Sequence, residues 1–517
     1  MTGLAKLSRL MIAFANLSRL RRNIVANYLG QGWAAVIGIA FIPVYIRYLG
    51  VEAYGLIGFF AVIQTWLAVL DAGLTPTLQR EMARFTAGAH SVQSICNLLR
   101  SIEVLCLGVA AAAGMAVWAA SGFLAESWLN AETIPVSVVA QATSVMALVI
   151  ALRFGESVYR GALLGLQHHV WLNTVTAAIA TLRYGGAAVI VAWISPTVGA
   201  FFLWQAVVSI ISVAALALSV RHFIPRPPGR ARFTLAALTP TWKFSLGTLG
   251  ISFLGLLLTQ VDKVLLSRML SLELFGYYTL AILMAGVSSM LVTPLMQSTY
   301  PRFIEFATRD DEVGAARFYH RNAQLVANLA APLAAVLCFF SEGLVYAWSG
   351  DVALASSVAP ILSVVVLGVF LNQMLLPAHN LLLAHGRTRL LVGFLAVAVC
   401  LLVPTMLWVV SRFGVMGAAW TTVVLYAGYV VVVIQLMHRD LLPREKWKWF
   451  GWDFLLPASG AFAAAWAMTA LEPAPHADRL LWIGFLMLSG GVALLGSTLL
   501  SNQIWAGIAQ WRTAART

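Results

Sequence analysis

The sequence predicts an all-α polytopic membrane protein of about fourteen transmembrane helices: two parallel six-helix lobes followed by two C-terminal helices. Composition, apolar runs and an internal repeat carry that prediction. Of 517 residues, 61% are hydrophobic and 10% charged, and the mean hydropathy is +0.85, which excludes a water-soluble globule. The apolar residues fall into about fourteen runs of roughly 20 residues, each long enough to cross ~30 Å of hydrocarbon. Arg47, Glu52 and Gly55 recur as Arg268, Glu273 and Gly276, about 221 positions on, so one turn has been laid down twice.

The rest of the repeat is displaced by about 218 positions: Thr75-Pro76, Gln79, Arg84 and Phe85 match Thr293-Pro294, Gln297, Arg302 and Phe303. Gly199-Ala200 and Arg221 match Gly417-Ala418 and Arg439 at the same offset. The expected organisation is an N-terminal cytoplasmic interfacial helix (1–22), a first lobe of helices 1–6 (23–222), a cytoplasmic linker (223–242), a second lobe of helices 7–12 (243–440), and accessory helices 13–14 with a cytoplasmic tail (441–517). An even number of helices per lobe makes the repeats parallel, about an axis along the membrane normal.

In chain order, residues 4–20 carry Leu4, Leu7, Leu10, Met11, Phe14 and Leu17 at helical spacing beside Lys6, Arg9 and Arg19, the pattern of a helix lying on a membrane surface. The first lobe's runs span roughly 24–46, 54–78, 97–120, 136–159, 170–193 and 198–220. The linker holds Pro225, Pro227, Pro228, Arg226, Arg230 and Arg232 without an acidic residue. The second lobe's runs span roughly 243–266, 276–299, 321–346, 357–383, 389–410 and 414–437, and the accessory runs 452–471 and 480–500. Prolines 43, 76, 294, 332, 377 and 404 fall inside apolar runs, where each frees a carbonyl and permits a kink. Lys446-Trp447-Lys448-Trp449 reads as an interfacial anchor.

With both termini cytoplasmic, about 26 of the 33 Lys and Arg lie inside. The net charge of +13 is spread between apolar runs, which favours a lipid surface over nucleic acid as partner. Cys96, Cys106, Cys338 and Cys400 lack CxxC spacing and read as packing residues. No Gly-Lys pair occurs, so no phosphate cradle for ATP is expected. His168-His169 lacks metal-site spacing and Asp310-Asp311 sits in a mixed-charge loop; no metal, cofactor or catalytic residue is expected.

Ionisable groups inside a bilayer cost about 2.5–3.5 kcal/mol each at a helix centre and usually face a cavity or a partner. Arg183 lies near mid-membrane in helix 5, with no acid one turn away on its own helix. Arg153, Glu156 and Arg160 share a face of helix 4, either as an ion-paired set or as cavity cations. Asp262 and Lys263 end helix 7, where Lys263 either faces a cleft or reaches the interface along its stem. Asp71 lies toward the cytoplasmic end of helix 2. Arg183, Arg153 and Lys263 are the expected anion-binding cations, since guanidinium groups grip phosphate with forked hydrogen bonds. Asp71, Glu156 and Asp262 are the expected coupling or gating acids. At the repeat offset Arg153, Glu156 and Arg183 become Leu371, Met374 and Leu401, so the charges are not duplicated. Arg183 is expected to face a cavity and find its partner in a bound anion, and the accessory helices to pack on a lobe as a lipid-facing addition, where a groove for a prenyl tail is what the resemblance given below implies.

Asn27-Tyr28-Leu29-Gly30, Pro43 through Gly55, Asp71-Ala72-Gly73-Leu74 and Asp262-Lys263 with Tyr277 resemble the bacterial polysaccharide transporters, the O-antigen and oligosaccharide flippases. The resemblance covers nearly the whole chain, but its motifs are short, and the wider superfamily also holds multidrug exporters and lipid II flippases. It implies a V-shaped, two-lobed carrier in the bacterial cytoplasmic membrane. Such a carrier moves an undecaprenyl-pyrophosphate-linked oligosaccharide, an O-antigen or exopolysaccharide repeat unit, by alternating access. The implied partners are that lipid-linked oligosaccharide, membrane lipids, and the polysaccharide polymerase and chain-length machinery. An ion-coupled multidrug exporter and a lipid II flippase remain the alternatives. A glycan polymerase or ligase would want a large periplasmic loop, and none exists.

Overall fold

A computed structural model describes residues 19–71, 74–86, 88–234, 242–475 and 477–501. The expected interfacial helix over 4–20, except its last two residues, lies outside them, as do Ala72-Gly73, the end of the linker, and the tail beyond 501. The described residues are helical, with no strand beyond one isolated bridge between Asn130 and Ser271.

The first half comprises α1 (Arg19–Ala40), α2 (Ile42–Leu49), α3 (Val51–Asp71), α4 (Leu74–Thr86), α5 (Val92–Ala119), α6 (Val136–Gly165), α7 (His169–Ala180) and α8 (Val198–Phe223). The second comprises α9 (Trp242–Met269), α10 (Leu272–Ala285), α11 (Val287–Thr308), α12 (Glu312–Phe339), α13 (Ser341–Ser349), α14 (Val352–Ala384) and α15 (Thr388–Leu441), then α16 (Leu456–Met468) and α17 (Arg479–Leu499). Among the described residues ten helices are long and apolar enough to cross a membrane, eleven when α10 and α11, bent by 41°, count as one span. That is fewer than the fourteen apolar runs of the sequence. The apolar stretch Val51–Leu67 is shorter than a full span. The 54 residues of α15 contain a break at Gly414, whose φ of 58° and ψ of −145° only glycine adopts without strain. The helices run on through Pro332, Pro377 and Pro404.

Helix starts follow from side-chain caps. Ser91, Thr197 and Asp351 accept the N–H of Ser94, Ala200 and Leu354, three residues on. The apolar run of α1 breaks just before Pro43, which sits in the first turn of α2 where its missing N–H costs nothing.

The chain divides into two compact units: Met1–Leu256 with Ser271–Glu273, and Leu257–Leu270 with Leu274–Thr517. In the first, Leu78, Met82, Ile95, Leu99, Ile102 and Val158 belong to one buried apolar core between α4, α5 and α6. Small residues bring α6 onto α4: a Cβ on Gly165 would stand 2.4 Å from the Gln79 carbonyl oxygen. Buried Glu52, in the first turn of α3, accepts the backbone N–H of Thr133 at 2.9 Å and of Ile134 at 3.2 Å, pinning the start of α3 to the loop before α6. The described part of the linker lies along α5, with Gly229, Arg232 and Thr234 donating to Gln93, Asn97 and Ser101 at 2.9–3.0 Å.

In the second unit α16 and α17 pack on α12 and α13. Ser497 donates to Asn328 at 2.8 Å, and Phe339 and Phe340 meet Phe462 and Phe485 edge to face.

Candidate functional site: a polar seam in an apolar bundle

The first unit gathers its membrane-depth charges where α3, α6, α8 and the helix after α7 meet. The Arg153 guanidinium donates to Gln64 Oε1 at 2.5 Å and to Gln205 Oε1 at 3.1 Å, and lies 5.4 Å from the centre of the Phe60 ring. Among the described residues it forms no ion pair, and its Nε, like Gln64 Nε2, is buried without a partner. A cavity of about 190 Å³ opens beside it, lined by Gln64, Leu67, Asp71, Arg153, Phe154 and Ser157 among others. Across that cavity Asp71 accepts the Thr75 hydroxyl at 2.6 Å. A guanidinium held by neutral amides has no ion-pair partner to give up, so an anion entering here would meet it directly, with the Asp71 carboxyl on the opposite wall.

Arg183 is different. Its Nη2 lies 3.3 Å from Glu156 Oε2, and the two side chains are 12% and 10% exposed. The expectation that Arg183 lacks a protein partner is therefore corrected: its carboxylate comes from α6 and not from its own helix. Glu156 accordingly does not bind its helix-mates Arg153 and Arg160 as a local ion-paired set; Arg160 instead donates to Thr176 at 3.3 Å.

The backbone explains the aim of Arg183. After α7 the helix widens into π turns over Thr181–Gly185 and Ile190–Ile194. The Tyr45 hydroxyl donates to the carbonyl of Tyr184 at 2.6 Å and the Trp204 indole to that of Leu182 at 3.0 Å. Gly186 is required because a Cβ there would stand 2.4 Å from the Trp204 ring.

In the second unit Asp262 and Lys263 turn inward on themselves. Lys263 Nζ donates to the Thr259 carbonyl at 2.7 Å and lies 3.4 Å from Asp262 Oδ1, while Tyr278 donates to Asp262 Oδ2 at 3.0 Å. Its stem curls back along α9 instead of stretching to an interface, and its charge is already matched.

One buried polar cluster was missed from sequence. His320 of α12 bonds through Nδ1 to Asp453 and lies with Nε2 3.1 Å from Glu445; Gln324 donates to Asp453 at 2.8 Å. The accessory segment thus buries a carboxylate near its start, Asp453 being wholly buried. The signal was an aspartate inside an apolar run and a histidine 133 positions away. Among the described residues no group of three metal-ligating side chains is arranged for a metal ion.

A family model described as polysaccharide biosynthesis protein matches residues 20–307. Curated protein sequences provide no match. Among solved structures, the fold is similar to that of the lipid II flippase MurJ in an inward closed conformation, with a TM-score of 0.70 and 12% identity over 93% of this chain and 99% of that one. It is also similar to an inward-facing multidrug resistance MATE family transporter of the MOP superfamily, with a TM-score of 0.62 and 12% identity over 79% of this chain and 94% of that one. A third likeness is the MATE multidrug transporter DinF-BH, with a TM-score of 0.58 and 13% identity over 83% and 96%.

Proposed function

The chain belongs to the polysaccharide biosynthesis protein family and has the fold of the MOP transporters, and we propose that it flips a lipid-linked oligosaccharide across the bacterial cytoplasmic membrane. The substrate in this reading is an undecaprenyl-diphosphate-linked O-antigen or exopolysaccharide repeat unit, moved by alternating access of two six-helix lobes, 23–222 and 243–440, with both termini cytoplasmic. The chain acts as a carrier and not as an enzyme. The observation that supports the reading best is Arg153: a cation deep in an apolar bundle, held by two amides and no carboxylate, beside a small cavity. A diphosphate travelling with its glycan is the anion such a group fits.

The test is restoration of surface glycan in a strain lacking its own flippase. Arg153→Ala is expected to insert and accumulate like the parent yet restore no glycan, and Arg153→Lys, which keeps charge without the fork, to restore part of it. Full restoration by Arg153→Ala at matched protein level would remove the anion site. The extent of the MurJ likeness favours a second reading, a lipid II flippase. Rescue of a strain depleted of its lipid II flippase, with no effect on surface glycan, would replace the first reading by the second.

A further inference from the structure

On the first unit α5, α6 and α8 line a cavity of about 220 Å³ that is polar at one end and apolar at the other. Along α5 the lining passes from Arg100 and Glu103 to Leu107 and Ala110; along α6 it passes from Ala151 and Leu152 to Tyr159, and along α8 from Val213 to Arg221. α6 runs against α5, since the Tyr159 hydroxyl donates to Glu103 at 3.1 Å and a Cβ on Gly114 would stand 3.3 Å from that of Ala151. The chain leaving α8 meets Gln93 at Gly229, which brings the end of α8 to the start of α5. All three helices therefore put their charges at the same end. At ~1.5 Å rise per residue, Arg100 to Ala110 is about 15 Å, the depth of one leaflet of hydrocarbon.

Charge and the internal repeat decide what fits there. Glu103, the one acid of the lining, is taken by Arg100 at 3.1 Å and by Tyr159. Arg221 lines the same cavity, is exposed, and forms no ion pair among the described residues; the same holds for the exposed Arg226, Arg230 and Arg232 of the linker beside α5. The matched face of the second unit is covered. There Cys106, Ala110 and Leu152 become Gln324, Asn328 and Phe370, which hold the accessory segment through Asp453, Ser497 and the rings of Phe454 and Phe462. That segment brings two carboxylates, Asp453 and Glu445, to His320, next to the match of Glu103. Between α16 and α17 themselves, where a groove for a lipid tail was expected, the backbones touch: a Cβ on Gly460 would stand 2.3 Å from the Gly496 carbonyl oxygen. The first unit has none of these amide and aromatic anchors. Its floor includes Cys106 and Ala110, both buried, and its wall Leu107, which is 71% exposed. A partner helix would find nothing to bond, whereas a flexible hydrocarbon chain needs only the groove and its anionic head the cation.

We propose that this groove is a site for an anionic phospholipid of the cytoplasmic leaflet, its phosphate on Arg221 near the linker arginines and one acyl chain over Leu107, Ala110 and Leu152. From the flippase reading the proposal takes only the orientation, with the linker inside; the site does not depend on what the protein carries. A phosphatidylglycerol headgroup keeps a net negative charge that phosphatidylcholine lacks, so the groove should discriminate between these lipids at equal chain length. Arg439→Ala removes the repeat-matched arginine of the second unit, also exposed, and is the control for Arg221→Ala.

The experiment uses the full chain in mild detergent with a phosphatidylglycerol carrying a diazirine on one acyl chain, and maps the labelled residues by mass spectrometry while unlabelled lipids compete. Labelling is expected on Leu107, Leu152 and Val213, and phosphatidylglycerol should compete about tenfold better than phosphatidylcholine. Arg221→Ala should weaken that competition about fivefold, the loss of one cation at a lipid surface, and Arg439→Ala should leave it unchanged. Equal competition by phosphatidylcholine would make the groove a site for bulk lipid and overturn the proposal. Competed labelling confined to other helices, or none at all, would overturn it too, as would a folded Arg221→Ala chain that behaves like the parent. Stronger competition by a polyprenyl diphosphate than by phosphatidylglycerol would give the groove to that lipid instead. A photo-cross-linking amino acid at position 107 that captures protein in place of lipid in intact cells would give it to a partner helix, again against the proposal. None of these readouts is transport, so each outcome leaves the flippase reading to its own test.

Discussion

Removing Arg183 alone should destabilise the protein, and removing Glu156 with it should restore most of the loss. The two groups sit 3.3 Å apart at 12% and 10% exposure, so neither charge has water to fall back on. At an effective dielectric of ~20 their attraction is about 5 kcal/mol, and the cost of desolvating both offsets much of it. What remains in a single variant is a stranded buried charge, typically about 3 kcal/mol, reduced in membrane bundles where the unfolded chain also finds polar partners. We expect Arg183→Leu and Glu156→Met each to cost about 2 kcal/mol. The pair together should fall within ~1 kcal/mol of the parent, a coupling well above the scatter for independent sites. Leucine and methionine are apt choices because Leu401 and Met374 occupy these positions in the second repeat.

The assay is a double-mutant cycle on the purified protein, unfolded by titrating a denaturing detergent into a mild one and followed by tryptophan fluorescence. Additive effects, or an Arg183→Leu variant as stable as the parent, would refute the ion pair. Arg183 would then be free for a ligand after all.

Further perturbations test other joints. Burial pushes the Glu445 carboxyl up, but Lys448 and His320 outweigh it and hold the carboxyl below its ordinary 4.5. A depressed carboxyl stabilises the fold above its unfolded value and loses that contribution as pH falls through the folded one. The melting temperature should therefore drop below about pH 4.5 from this group, and Glu445→Gln should flatten that part of the profile. Glu52→Ala strands the backbone N–H groups of Thr133 and Ile134 and should lower stability by about 1–3 kcal/mol in the same detergent titration, with Glu52→Gln intermediate. Gly460→Val drives a side chain into the Gly496 carbonyl and should cost about 1–3 kcal/mol. Disulfide cross-linking between cysteines placed on α16 and α17 should slow in that variant, and an unchanged rate would mean that the two helices do not touch there.

The helical membrane fold was legible in sequence because its cause is local. A bilayer requires every backbone group to be bonded within its own segment, so an apolar run long enough to cross is already a helix. Even the interruption of α15 was written in the chain, since Gly414 separates the two apolar runs and takes a backbone angle that other residues resist. The site was less legible because its bonds cross between helices. Gln64 and Arg153 are 89 positions apart, and Arg183 finds Glu156 27 positions away. Scanning one turn up and down a helix finds neither. The amides were invisible for a further reason: Gln64 and Gln205 carry no charge, so nothing in a survey of ionisable residues marks them as the groups that hold Arg153.

The asymmetry of the repeat is the part of the sequence that the structure gives most physical meaning. At matched positions the first unit has Arg153, Glu156 and Arg183 and the second Leu371, Met374 and Leu401. In the first, Glu156 and Arg183 join α6 to the helix after α7 through an ion pair, and Arg153, held by Gln64 and Gln205, stands beside a cavity. In the second, Met374 is buried in the core and Leu401 lines an apolar cavity between the two arms of α15. Two copies of one helical unit thus keep the same repeat while the first alone, at these matched positions, carries buried charge.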